Sequence, residues 1–317
     1  MKKRWLLLCI LALLLSGCAS SGTIRIGAAG ESGVYYAFSE ALSDLVNKSS
    51  SGNSMEVRTT AGSAANLRLL SDGYVQMAIA QADLAQDAYD GEGIFADGNL
   101  YRGYGAVAGL YTEACHIVVR ADSDIVSIED LQGRTVSVGE EESGTEQNAE
   151  QILEAYGLSE RLVDEEHLDY TAASERLADG TIDAVFLTIG TQSEVVAQMA
   201  QQCGIRLLSV DGKAAERLRS AYSSYQEYVI PAGTYPGQEE DVSTVGVKAV
   251  LLASERVSAE TVEAVTQALF SGAQELSQVL PEGSVLEPES AAEGIQVPFH
   301  QGAAAYYADC GITVETE

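Results

Sequence analysis

TIRIGAAGESGVYYAFSEALSDLVNK (residues 23–48), followed after a polar turn by SMEVRTTAGSAANL (residues 54–67), decides the fold. The stretch is one unit written twice. Ile24 and Ile26 alternate as in a buried strand, residues 27–33 form a Gly/Ser-rich turn, and residues 34–46 carry apolar side chains at helical spacing. Val57 and Thr59 then read as a second strand, Gly62-Ser63 as its turn, and Leu67, Leu69 and Leu70 as the next helix. In open α/β sheets, ligands sit where the carboxyl ends of strands meet helix N-termini. Free N–H groups and the positive end of the helix dipole favour an anion there. The expectation is that these two turns form half of a cleft for a small, carboxylate-bearing molecule.

Upstream, Lys2, Lys3 and Arg4 precede an apolar run over residues 5–15 and then Leu15-Ser16-Gly17-Cys18-Ala19. The run falls short of the roughly 20 residues a spanning helix needs. It reads as a secretory leader over residues 1–17, and its end resembles the lipobox of bacterial lipoproteins. That places lipid on Cys18, a short tether over residues 18–22, and the protein on the extracytoplasmic face of the cell membrane. Two or three acyl chains on one residue give stable anchoring. With 47 Asp+Glu against 18 Lys+Arg, the formal charge is −29. Nucleic acid is therefore excluded as a partner, since its binding rests on neutralised phosphates. An anion site in such a chain has to be local: helix ends and a few arginines against the global field. Arg58 and Arg68 are the candidate cations.

Downstream, the strand–turn–helix alternation continues. Residues 75–81 read as a third strand and residues 82–89 as a helix. Residues 105–110 and 114–120 form one long bent strand interrupted at Tyr111-Thr112-Glu113. Ser127 and Asp130 form a capping box. Residues 134–138 are a strand, 139–144 an acidic turn and 145–156 an amphipathic helix stopped by Gly157. Residues 167–170 read as a strand, 172–178 as a helix, 182–189 as a buried strand, with a helix opening at Thr191. A strand at 205–210 and a helix at 213–220 follow, then a tyrosine-rich loop over 222–241, a long β-branched run over 242–253, and a helix over 258–279. A last short helix runs over 300–310. The repeated alternation predicts two parallel-type α/β lobes, residues 23–113 with 242–317 and residues 114–241, joined by two crossings that make a hinge.

Catalytic and cofactor signatures are missing from the sequence. Gly27, Gly30 and Gly33 do not have dinucleotide-fingerprint spacing, and no Walker loop, nucleophile elbow or zinc-protease motif occurs. His116, His167 and His300 are far apart; Glu140-Glu141-Glu142 reads as a solvated turn, with a carboxylate pair or metal site as the alternative. The reading is of a binding protein, with no enzyme activity, cofactor or metal. Beyond Cys9 and Cys18, the odd set Cys115, Cys203 and Cys310 matches no metal spacing and reads as buried thiols, a Cys115–Cys310 bridge being the alternative. Tyr35-Tyr36, at a helix start, offers flat apolar faces and hydroxyls to a small organic acid.

The segments quoted, together with TTAGSAANLRLLSDG, QMAIAQADLAQDAYDG, SIEDLQGRTVSVGEEESGTE, LADGTIDAVFLTIG and YVIPAGTYPGQEEDVSTVGVKAVL, resemble the TAXI family, the receptors of a branch of TRAP transporters. The resemblance covers nearly all of residues 24–312. It implies a two-lobed, type II periplasmic-binding-protein fold whose two crossover strands form the hinge. It also implies capture of a small organic acid or glutamate-like amino acid, and delivery to a TRAP membrane subunit. By carry-over it implies ligand contacts from Gly33, Val34, Tyr35 and Tyr36; from Ser63 and Asn66; and from Gln81 and Asp83. From the second lobe it implies Ser143, Gly144, Thr145, Glu146, Thr188, Gly190 and Thr191, with Tyr235 closing the cleft. An ABC-type binding lipoprotein for an anion or small molecule, and a surface ligand-sensing lipoprotein, share the architecture and stand as alternatives.

Overall fold

In the computed structural model, which describes residues 22–49, 51–158 and 161–316, the leading unit forms as the spacing predicts. The leader and the proposed lipid site at Cys18 lie outside the described residues. Strand β1 (Thr23–Gly27) enters helix α1 (Val34–Lys48), and β2 (Ser54–Arg58) enters α2 (Ser63–Asp72). Helix α1 turns Phe38, Leu42 and Val46 into the core, each at 1% exposure or less. Spacings of four put them on one face, and each contributes roughly 1.5–3 kcal/mol of apolar burial. Strand β3 (Met77–Gln81), buried throughout, leads directly into α3 (Ala82–Asp90).

The predicted long bent strand is a single element, β4 (Tyr104–Arg120). It lies antiparallel to the other long strand, β10 (Val242–Ser254). Together they are the spine of a ten-stranded sheet of order β2-β1-β3-β10-β4-β7-β5-β6. On the far side are β5 (Thr135–Ser137), α4 (Gly144–Ala155), β6 (Asp164–Glu166), α5 (Tyr170–Asp179) and β7 (Ala184–Ile189). They are followed by α6 (Glu194–Cys203), β8 (Ile205–Leu207), α7 (Gly212–Ala221) and β9 (Gln226–Ile230). Strand β8 pairs with the end of β4 and β9 with the start of β10. After β10 the chain returns to the first lobe as α8 (Ala259–Ser271), α9 (Ala273–Leu276), α10 (Pro288–Ala292) and α11 (Gln301–Asp309).

Apolar side chains divide at the spine. One cluster joins residues from Ile24 to Tyr111 with residues from Ala249 to Tyr307, and two others lie between Ala114 and Val247. Both long strands thus change core within a few residues of each other. The β4–β10 register shifts there, Lys248 pairing Thr112 while Val250 pairs Gly109. Such a bulge bends a strand and increases its local twist, which suits a crossing between two bodies.

Several sequence expectations are corrected in detail. The strand expected at residues 167–170 is β6, displaced to Asp164–Glu166; an edge strand of three acidic residues carries no apolar alternation to reveal it. The tyrosine-rich loop contains β9, which pairs antiparallel with β10. The helix expected at Thr191 begins at Glu194, because Gln192 takes a left-handed φ of 64°. The helix expected over 258–279 breaks at Gly272, where a Cβ would lie 2.3 Å from Leu45 Cδ1 of α1. Cys115, Cys203 and Cys310 are all free, and only Cys115 is buried, so neither a Cys115–Cys310 bridge nor three buried thiols is found.

Candidate functional site

Three helices begin at one place. The first residues of α1, α2 and α4 meet beneath the β4–β10 crossing and enclose a cavity of about 70 Å3. A water needs roughly 10–15 Å3 on this measure, so the cavity holds on the order of five waters, or a ligand of amino-acid size. Its wall is drawn from both lobes: residues from Ala29 to Tyr35 and from Ala61 to Ser63 on one side, and from Ser143 to Thr145, Leu168 to Tyr170, and Thr188 with Ile189 on the other. Gln81 and Glu113 form part of the same wall, with Glu140 of the acidic turn.

The helix starts are open to a ligand. The residues preceding α1 and α2 are Gly33 and Gly62, and neither helix has a side-chain cap. The first N–H groups of a helix have no intrahelical acceptor, so those of residues 34–36 and of Ser63 and Ala64 are available to an anion. The next amide, Ala65 N, donates to the Glu142 carbonyl of the other lobe at 3.1 Å. Closure of the lobes therefore caps α2. Glu142 reaches this position at a left-handed φ of 64°, as Ala29 does at 58°; such values are uncommon away from glycine. Gly62 has φ 136°, and a Cβ there would stand 3.1 Å from Ser143 Cα, so glycine permits the close approach.

Hydroxyls line the remaining wall. Thr145 Oγ1 and Tyr170 Oη lie 2.7 Å apart, and Tyr170 donates to the Thr188 carbonyl at 3.0 Å while Thr188 N donates to Thr145 Oγ1 at 3.2 Å. Ser63 Oγ accepts from Gln81 N at 3.1 Å. Gln81 Nε2 crosses to the second lobe and donates to Asn148 Oδ1 at 2.9 Å. At the base, Tyr35 donates to Glu113 Oε2 at 2.7 Å and Tyr111 to Oε1 at 3.3 Å. Burial pushes the Glu113 carboxyl up to about 8, against the partial opposition of these hydrogen bonds.

That raised value carries a stability prediction. Between the unfolded carboxyl value near 4.5 and about 8, the folded ligand-free protein binds a proton that the unfolded chain has lost. Stability from this group therefore falls as pH rises through that window. Glu113→Gln is expected to raise the urea midpoint at pH 7.5 by a few kcal/mol equivalent, with the advantage shrinking towards pH 4. A variant less stable than wild type at pH 7.5 and at pH 4 alike contradicts it.

Of the residues carried over from the resemblance, the cavity brings together Gly33, Val34, Tyr35, Ser63, Gln81, Ser143, Gly144, Thr145 and Thr188. The others stand outside its lining. Tyr36 lies on the half-exposed side of α1. Asn66 is fully buried behind the turns, its Nδ2 on the Ile79 carbonyl at 2.8 Å and its Oδ1 accepting from Thr60 Oγ1 at 2.7 Å. Burial raises Asp83 to about 6, but its carboxyl is set back in α3. Glu146 accepts from Glu142 N at 2.8 Å and lies 3.1 Å from His167 Nδ1, stiffening the acidic turn. Gly190 touches Pro281, and Thr191 Oγ1 lies 3.3 Å from Tyr228 Oη. Tyr235 is buried against His116, its hydroxyl 2.9 Å from Nε2. Of the two candidate cations, Arg58 pairs with exposed Glu56, and Arg68 bridges the lobes through Glu142 at 3.2 Å. Neither lines the cavity. Glu113 and Tyr170 were missed. The polar residue inside an apolar strand run was the available signal for Glu113; Tyr170 gave none.

This two-lobed sheet with helix starts facing an interlobe cavity is the type II periplasmic-binding-protein fold. The chain belongs to the NMT1-like family, which it matches over residues 26–311. Among solved structures, it is similar to the alkanesulfonate-binding protein SsuA from Xanthomonas axonopodis pv. citri bound to MOPS, at 17% identity and TM-score 0.50, covering 90% of this chain and 83% of that one. It is similar to PhnD1 from Prochlorococcus marinus (MIT 9301) in complex with methylphosphonate, at 11% identity and TM-score 0.55, covering 84% and 93%. A putative L-cystine ABC transporter protein from Listeria monocytogenes matches at 13% identity and TM-score 0.51, covering 81% and 93%. Among the described residues, no group of three or more His, Cys, Asp or Glu is placed to hold a metal ion, and no helix is long and apolar enough to cross a membrane.

Proposed function

We propose that this chain is the extracytoplasmic solute-binding component of a membrane transporter, which captures a small anion-bearing solute between its lobes and delivers it to a permease, without catalysis. The observation that carries the reading is the convergence of helix starts from both lobes, the two of the first lobe without side-chain caps, on one cavity of ligand size. A ligand touching both walls binds the closed form better than the open one, and its differential affinity shifts the hinge equilibrium. The closed surface is then what the permease recognises. The likeness to proteins bound to a sulfonate and a phosphonate supports an oxyanion as the captured group.

An ABC-type permease is the partner the comparisons favour, through the NMT1-like family and the L-cystine neighbour. The second reading, a TAXI-type receptor for a glutamate-like solute, is supported by the motifs quoted from residues 24–312. Uptake by cells carrying the protein separates them. Dependence on ATP supports the first, and dependence on an ion gradient the second. Anchoring through Cys18 belongs to both proposals.

Capture itself is tested by thermal shift against small carboxylates, sulfonates, phosphonates and amino acids. A specific ligand at about 100 times its dissociation constant is expected to stabilise the protein by ~2.7 kcal/mol. No shift with any member contradicts the proposal.

A further inference from the structure

The cavity wall carries two chemically opposite sets of groups. The uncapped starts of α1 and α2 offer donors. The acceptor set begins with Glu113, 4% exposed, on the crossover strand β4. Beside it is Gln81, 2% exposed. Gln81 commits its amide nitrogen to Asn148 across the cleft and leaves Oε1 buried without a hydrogen-bond partner. Among the described residues, no lysine or arginine lines the cavity. The acceptor set therefore holds a carboxyl and an unpaired carbonyl oxygen with no protein cation to meet them. A buried acceptor left unpaired is destabilising.

We infer that the ligand is a small zwitterion, with an ammonium group seated on Glu113 and Gln81 Oε1 and an oxyanion at the helix starts. The inference rests on the solute-capture reading and narrows its substrate class. An ammonium group fills both acceptors; a plain anion leaves Gln81 Oε1 unpaired. The oxyanion, whether carboxylate, sulfonate or phosphonate, takes the backbone donors of the helix starts.

A proton accompanies this arrangement. The groups facing Glu113 are Tyr35 from α1, Gln81 from β3, Tyr111 and Cys115 on its own strand, Asp83 from α3 and Tyr170 from α5, all neutral or acidic. Burial keeps Glu113 protonated in the ligand-free protein at neutral pH. An arriving ammonium favours the carboxylate, so binding releases that proton, and affinity rises with pH between 6 and 8.

The test uses the purified mature chain and three ligand pairs that differ by the amine: L-glutamate and glutarate, taurine and ethanesulfonate, 2-aminoethylphosphonate and ethylphosphonate. Calorimetry in buffers of different ionisation enthalpy reads affinity and proton release together. The expected result is that the amine-bearing member of at least one pair binds at least about tenfold tighter than its partner, and releases close to one proton at pH 7. Glu113→Gln is expected to abolish both the preference and the release. The wild-type pairs decide the matter even if that variant fails to fold. Equal or tighter binding of the amine-free members, or binding without proton release, overturns the zwitterion assignment and leaves solute capture standing. No binding by any of the six overturns both.

Discussion

Gly190→Val is expected to fold normally and to bind ligand at least about 100-fold more weakly than wild type, a loss of ~2.8 kcal/mol. Gly190 ends β7 in the second lobe, and Pro281 follows α9 in the first. A Cβ at Gly190 would stand 2.1 Å from Pro281 Cγ and 3.2 Å from its Cβ. A proline ring is too stiff to fold aside, so the side chain holds the lobes apart. Gln192, nearby, makes the adjoining interlobe bond, its Nε2 donating to Glu282 Oε2 at 2.6 Å, and that bond is lost with the contact. Valine is compatible with the backbone at Gly190, which does not use a left-handed φ. Gly190 is also absent from the cavity wall, so the effect comes from blocked closure and not from a lost ligand contact. Small-angle scattering checks this: wild type compacts on adding ligand, and the variant does not. A variant that binds and compacts like wild type removes the closure account.

Asn66→Ala is expected to destabilise the ligand-free fold by about 2–4 kcal/mol, read as a shift of the urea midpoint at unchanged slope. Asn66 is the first core residue behind the second turn. It ties the Gly27 and Ile79 carbonyls to α2 and accepts from Thr60. Removing the amide leaves those buried carbonyls unpaired and opens a void below both turns. A Cβ at Gly27 would lie 2.5 Å from Asn66 Oδ1, so the two residues are fitted to each other. Ligand affinity should fall only in step with the loss of order at the turns. A normal midpoint with abolished binding assigns Asn66 a direct ligand contact instead.

How much of this was legible follows the physics of each segment. The β1–α1 and β2–α2 units carry their fold in period-two and helical spacings, because one face of each is buried against a single core. The long strands β4 and β10 were legible as continuous β-branched runs, since both faces are covered. Strands β6 and β9 were not. They sit at the margins of the sheet and hold their place through backbone pairing, which leaves no apolar pattern. The site divides in the same way. At the helix starts, Tyr35 and Ser63 are marked by the turn sequence itself, whereas Gly144 and Thr145 came through the family resemblance alone. Asn66, Glu146 and Tyr235 lie close to those turns in the chain or in space, but their side chains face inward or outward from the wall. Sequence spacing along a turn does not encode that direction. Glu113 was visible only as a break in an apolar run; its meaning required β4 to pass under the cleft.

The central claim is that backbone amides from both lobes close on one ligand. Amide exchange and 15N chemical shifts, recorded before and after adding a ligand found by thermal shift, test it most directly. The account predicts simultaneous protection at Tyr35 and Ala64 in the first lobe and at Thr145 in the second. Changes confined to one lobe, or to a surface away from these helix starts, contradict it.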